Sequence, residues 1–304
     1  MRVLLIFVDG VGLGEPHPTH NPFCAADLPT LTALAGGQVW TQDATHQQSE
    51  RALFIPTDAT FNVAGRPQSG TGQAAIVTGR NVPRIIGGHY GPKPDEATRA
   101  IIREGNLFID TVNAGKSAAL LEAYPPAWHH VIRRGKRLPS SYQLAAGSAG
   151  LRFFGEDDLR AGRALSGDWT GAGWHSELGY EDTPIITPYE AGQKLVALAR
   201  EYDFAFFSHW LTDVVGHRGT LPQAVDLLVK LDAVMCGVLD AWDDTQGVVI
   251  LTSDHGNIEA INHKNHTRNA VPTVVIGAEK SRFERVRDLS DIAPVIRDLL
   301  LHDQ

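Results

Sequence analysis

Cysteine is nearly absent from this chain: Cys24 and Cys236 are its only two in 304 residues. Two thiols cannot build a disulfide framework or a thiolate metal site, so each is expected to be a small buried apolar filler. Long cationic runs are missing too. The 27 Lys and Arg against 35 Asp and Glu leave a net charge of −8. That balance argues against nucleic acid or an anionic membrane as main partner, while allowing an anionic small molecule at a local cationic site. Nor does any apolar stretch reach the roughly 18 residues that a membrane span requires. The run Val3–Val8 is too short for a signal h-region, and it meets Asp9 and a glycine turn rather than a small-residue cleavage site. Together these absences predict a cytoplasmic globular protein, and 43% hydrophobic with 20% charged residues is ordinary for that class.

What is present is an alternation of strand and helix signals. Val3–Val8 reads as a strand buried on both faces, ending at Asp9-Gly10-Val11-Gly12. Pro29–Gly36 has helical spacing with proline early and glycine last. Gln68-Ser69-Gly70-Thr71-Gly72-Gln73 reads as a loop feeding directly into a helix that ends near Gly79. Further on, helix signals at Tyr189–Glu201, Val225–Trp242 and Ile292–Leu301 alternate with strands at Phe204–Ser208, Val248–Thr252 and Val271–Ile276. The alternation predicts an α/β fold, a mostly parallel sheet sandwiched by helices. The length suits one large domain with an insert. The interval 85–185, rich in Gly and Arg and holding Trp128, Trp169 and Trp174, shows only short periodic segments. It is expected to be an inserted cap, with 1–84 and 186–304 forming the core.

In an open α/β sheet a ligand sits beyond the carboxyl ends of the strands. Asp9 closes the first strand; Asp213 and His217 follow Phe204–Ser208; Asp254 and His255 follow Val248–Thr252; His266 lies ahead of Val271. Singly, each aspartate could cap a turn or helix, and a lone histidine is more often a solvated group than a ligand. Three aspartates and three histidines on one sheet edge would be costly unless positive charge offset them. Divalent metal ions meet that need, and Asp213 and His217, four apart, would share one helix face. Carboxylate and imidazole donors without thiolate suit Mn or Zn, with Mg less favoured. A two-metal site also needs a nucleophile. Ser69, at a helix start where the dipole and free amides favour an alkoxide and an anionic substrate, is well placed. The plainer reading is that Ser69 or Thr71 only caps that helix.

Five segments carry a resemblance. Val8-Asp9-Gly10, the Ser69–Arg80 loop and helix, Asp213-x-x-Gly216-His217, Ser253-Asp254-His255-Gly256-Asn257 and His266-Thr267-x-Asn269-x-Val271-Pro272 occur in this order. In this the chain resembles the alkaline phosphatase superfamily of metalloenzymes, and is similar to its cofactor-independent phosphoglycerate mutase and phosphopentomutase branch. The resemblance implies that one ion takes Asp213, His217 and His266, and the other Asp9, Asp254, His255 and the nucleophile oxygen. Counting ten residues back from Gly79 puts the family's nucleophile at Ser69, with Thr71 as fallback. The absence of Cys at that position speaks against the formylglycine chemistry of related sulfatases. By analogy, Ser69 would attack phosphorus in line to give a phosphoseryl enzyme. Water then makes a phosphatase, and a second substrate hydroxyl makes a mutase.

The chain departs from the family in size. Those mutases carry a large second domain that grips the substrate, whereas about 100 residues are available here. Arg99, Arg103, Arg133, Arg134, Lys136 and Arg137 could supply cations, or form a solvated basic face; His89, His129, His130 and His175 have no matched role, and Gln73 is placed to touch substrate. A phosphodiesterase or nucleotide pyrophosphatase would share the same metal site. A dinucleotide-binding module would need Gly-x-Gly-x-x-Gly, which Gly10-x-Gly12-x-Gly14 lacks. An inactive metal-binding relative would have lost its nucleophile. The expected partner is a small phosphorylated substrate, not nucleic acid or membrane.

Overall fold

Strict alternation of buried side chains along the strands builds two cores, one on each face of a single sheet. Leu4, Ile6 and Val8 of the first strand face one core with Ala205, Phe207, Val249 and Leu251. Val3, Leu5 and Phe7 face the other with Phe204, Phe206, Val248 and Ile250. This is the period-two geometry of a strand covered on both sides. The computed structural model describes residues 1–301 and holds seven strands. They are β1 (Arg2–Val8), β2 (Gln47–Gln48), β3 (Ala52–Thr57), β4 (Ala118–Leu120), β5 (Phe204–His209), β6 (Gly247–Thr252) and β7 (Val271–Ile276), ordered β2-β3-β7-β6-β1-β5-β4.

The pairings β6–β1, β1–β5 and β5–β4 are parallel, whereas β7 runs antiparallel to both β6 and β3, and β2 to β3. Five strands therefore share one direction, and the sheet is mixed. The reversed β7 matters for function. Because it runs against β6, the loop before Val271 arrives at the same edge as the loop after Thr252, and Thr267 N–H donates to Gly256 O across that junction (2.9 Å).

The first core is roofed by α1 (Pro29–Leu34), α7 (Pro188–Ala199) and α9 (Leu221–Ala241). Helix α9 starts four residues before the expected Val225, since Thr220 and Gln223 form a reciprocal capping pair and Pro222 suits the first turn. The second core lies under α2 (Ser69–Thr78), α3 (Glu96–Glu104), α4 (Leu107–Asn113), α6 (Ser141–Ser148) and α10 (Ile292–Leu301). Helix α5 (Pro126–Arg133) buries none of its residues.

Parts of the interval 85–185 pack directly on the sheet. Its β4 extends the sheet beside β5, Phe108 packs on Phe204 at 5.1 Å between ring centroids, and Tyr142 stacks on Phe206 at 5.3 Å. Trp169 and Trp174 join the opposite core. A three-residue strand between short helices gives too little periodicity to be recognised as sheet. The strand β3 was likewise hidden in a polar stretch, with Pro56 at its interior. Cys24 and Cys236 are free and half-buried rather than buried. Among the described residues no helix is long and apolar enough to cross a membrane.

Candidate two-metal site

The ends of β1, β5 and β6 lie in register, with Phe7 opposite both Ser208 and Thr252, so the residues that follow them emerge together. Asp9 comes directly after β1. Asp213 and His217 occupy one face of α8 (Leu211–Arg218), one turn apart, with His217 Nε2 3.4 Å from Asp213 Oδ2. Asp254 and His255 follow β6, and His266 precedes β7. All six sequence-predicted ligands meet at this edge. They form two groups of donor atoms that share Asp213: Asp213, His217 and His266, and Asp9, Asp213 and His255, each with its atoms within 4.8 Å of one another. Asp254 joins the second group, its Oδ2 3.6 Å from His255 Nε2.

Two of the histidine rings are oriented by backbone carbonyls. His217 Nδ1 faces Lys264 O at 2.9 Å and His266 Nδ1 faces Pro67 O at 2.8 Å. A carbonyl only accepts, so each Nδ1 is the donor, and in the neutral form of such a ring Nε2 carries the free lone pair. The two Nε2 atoms then point at each other across 3.0 Å. Two lone pairs in that position repel unless a proton or metal ion lies between them. Asp9 Oδ1 is buried without a hydrogen-bond partner, 3.5 Å from His255 Nε2. The donor set thus fits divalent ions.

Electrostatics point the same way. Burial, with Asp254 and Asp213 adding repulsion, pushes the Asp9 carboxyl well above its usual range. Burial and Asp213 push Asp254 up to about 7. Burial and the neighbouring His266 lower His255 to about 3, so its ring is neutral.

Ser69 opens helix α2, and its Oγ lies 2.9 Å from His255 Nε2. Neither hydroxyl caps the helix: the N-cap is Gln68, with no side-chain cap. Thr71 Oγ1 instead donates to Gln68 O (3.2 Å) and accepts from Tyr90 N–H (3.3 Å), so it ties the 90s segment down. The glycines around them allow close approach. A Cβ on Gly70 would sit 2.5 Å from Tyr90 O, and one on Gly72 2.8 Å from Asp254 O. Side chains there would drive the Ser69 turn away from Asp254 and the 90s segment.

Four residues near the site carry roles that the sequence pattern did not show. Glu259 is fully buried: Gly12 N and Asn257 N donate to its Oε2 (3.0 and 2.7 Å), and Asn269 Nδ2 (3.0 Å) and Thr267 Oγ1 to its Oε1. It pins the three ligand-bearing loops together. Asn257 Nδ2 donates to Asp213 Oδ1 (2.7 Å) and orients that carboxylate. Lys93 is half-buried and has no ion pair among the described residues; burial and the nearby Arg137 lower its pKa, opposed by Asp9 and Glu122.

Glu122 follows β4, accepts from Ser208 N–H (3.2 Å) and Ser208 Oγ–H, and is raised to about 8 by burial. A carboxyl whose folded pKa exceeds its unfolded value, about 4.3 in model peptides, stabilises the fold below the unfolded value. That contribution is lost as pH rises toward about 8. Each unit in that window costs about 1.4 kcal/mol. Glu122→Gln is therefore expected to flatten the rise of stability toward acid in metal-free protein. Parallel melting profiles for the variant and the parent between pH 5 and 8 would contradict this.

Parts of the chain are similar to known proteins. Residues 176–304 match the family model described as the metalloenzyme superfamily. Over 129 residues the chain is 32% identical to the 2,3-bisphosphoglycerate-independent phosphoglycerate mutase of Paracoccus denitrificans, covering 40% of this chain and 25% of that protein. The Thiobacillus denitrificans enzyme of the same name is 29% identical over 126 residues, covering 38% and 25%. The chain thus spans about a quarter of the length of these curated relatives. Among solved structures, the PH0037 protein from Pyrococcus horikoshii superposes with a TM-score of 0.58 at 16% identity, covering 100% of this chain and 97% of that one. The lipoteichoic acid synthase LtaP from Listeria monocytogenes gives 0.53 at 11% identity, covering 98% and 71%. At such identities the structures speak for the fold, while residues 176–304, which hold Asp213, His217, Asp254, His255 and His266, are the part similar to the metalloenzyme superfamily.

Proposed function

We propose that the chain is a two-metal phosphoryl-transfer enzyme, a phosphomonoesterase or phosphomutase acting on a small phosphorylated metabolite through a phosphoserine at Ser69. The observation that carries this reading is the placement of Ser69 Oγ, at a helix N-terminus and 2.9 Å from His255 Nε2, against the converged aspartates and histidines. Asp213, His217 and His266 would hold one ion; Asp9, Asp254, His255 and the Ser69 oxygen would hold the other. Two divalent ions, Mn or Zn by the donor set, would supply charge that lowers the pKa of the Ser69 hydroxyl and offsets the phosphoryl oxygens.

The chain's own residues do the rest. Ser69 Oγ displaces the leaving oxygen from phosphorus, and the helix amides behind it stabilise the anionic group. Asn257 and Glu259 hold the ligand loops in place. Lys93, without an ion pair, and Arg137 beside it are the cations offered to the substrate from the 85–185 interval, a smaller counterpart of the second domain of longer relatives.

The test is a turnover screen on the chelated chain with Mn, Zn or Mg added back, using phosphate monoesters, phosphate diesters and phosphosugar isomerisation assays. Metal-dependent turnover of monoesters, or phosphate migration, is the expected result. Turnover confined to diesters would favour a phosphodiesterase, and no turnover with any ion would overturn the reading.

A further inference from the structure

Gln73 lies one turn into helix α2 from Ser69 and is almost fully buried. Its Nε2 donates to Asp9 Oδ2 and to Asp254 Oδ2, both at 3.2 Å. One amide thus joins two carboxylates that come from the ends of different strands, β1 and β6. Its orientation is dictated by chemistry, because a flipped amide would set Oε1 against two carboxylates. Asp254 Oδ1 is engaged separately, by Gly10 N–H at 3.4 Å. With these contacts made, Asp9 Oδ1 is the carboxylate oxygen left without a partner, and it faces His255 Nε2.

We infer that Gln73 is a positioning residue for the ion held by Asp9, Asp254 and His255, a neutral clamp that fixes which carboxylate oxygens face it. The inference rests on the two-metal reading above. An amide suits this task better than a cation. Lys or Arg at position 73 would orient the acids but also neutralise them and compete with the ion, whereas the amide orients them and leaves their charge in place. Each Oδ2 that accepts from Nε2 keeps a second lone pair. Outer partners that aim metal ligands are typically worth about 10–100-fold in affinity.

Calorimetric titration of the metal-stripped full-length chain with Mn(II) alone tests this. The parent chain should show two binding steps, and His217→Ala should lose the step that belongs to Asp213, His217 and His266. Gln73→Met, of similar length but without a donor, should weaken the other step about 10–100-fold and leave the first intact. That intact step reports within the same sample that the variant is folded. Gln73→Asn, one methylene too short to bridge both acids, should behave like Gln73→Met.

Unchanged affinities in both Gln73 variants would overturn the inference, as would equal weakening of both steps, the mark of a general structural role. A raised KM with unchanged metal affinity would make Gln73 a substrate contact instead and also overturn it. If the parent shows no step beyond the one removed in His217→Ala, the two-metal reading fails, and the clamp with it; two parental steps that ignore Gln73 refute the clamp alone.

Discussion

Ser69→Ala is expected to abolish turnover, by about 1,000-fold or more, while the chain still binds metal. Ser69 Oγ is at the start of α2, 2.9 Å from His255 Nε2. Removing it deletes the proposed attacking atom but spares Asp9, Asp254 and His255, the proposed protein ligands of that ion. Thr71→Ala serves as the counter-experiment. Its hydroxyl binds Gln68 O and Tyr90 N–H, so its loss should loosen the 90s segment and cost little beyond a modest loss of activity. If Thr71→Ala proves inactive and Ser69→Ala active, the nucleophile lies two residues further along.

The second large effect concerns the ligands. Asp254→Asn keeps the size of the side chain and an acceptor for Gly10 N–H, but removes one of the negative charges that make the site cationophilic. His217→Ala removes one of the two Nε2 atoms that face each other at 3.0 Å. Each is expected to weaken one metal-binding step by more than about 100-fold, since a direct ligand matters more than an outer partner. Activity should fall with it. Full activity and unchanged metal content in both variants would remove the basis of the site assignment.

How much of this was legible in the sequence depends on where the information sits. Strands β1, β5, β6 and β7 are mostly apolar runs flanked by turns, and the expected bounds lie within a residue or two of the structure. Strand β3 carries Pro56 and β4 has only three residues, so neither has a local signature strong enough to compete with loop. The ligands were legible because acids and histidines at strand ends are conspicuous. Why His266 joins them was not: its loop precedes its strand, and only the reversed direction of β7 brings it to the shared edge.

Glu259 and Glu122 were invisible for a different reason. Their roles come from partners far along the chain, Gly12 for the first and Ser208 for the second, and a lone glutamate between apolar residues does not announce them. The glycines of Gly70-Thr71-Gly72 were noticed as a loop signal. Their real cause, backbone approach by Tyr90 and Asp254, is a tertiary fact. Lys93 belongs with these. It lies in a stretch that reads as featureless, and its position beside Asp9 and Glu122 depends on the fold.

The proposed site holds two divalent ions at one sheet edge, one beside Ser69 and one between His217 and His266. The most direct measurement is the number of ions bound per chain, counted by elemental analysis after equilibration with Mn or Zn and removal of free metal. Two are expected for the parent chain and one each for Asp254→Asn and His217→Ala. A parent chain that retains none, or variants that retain two, would contradict it.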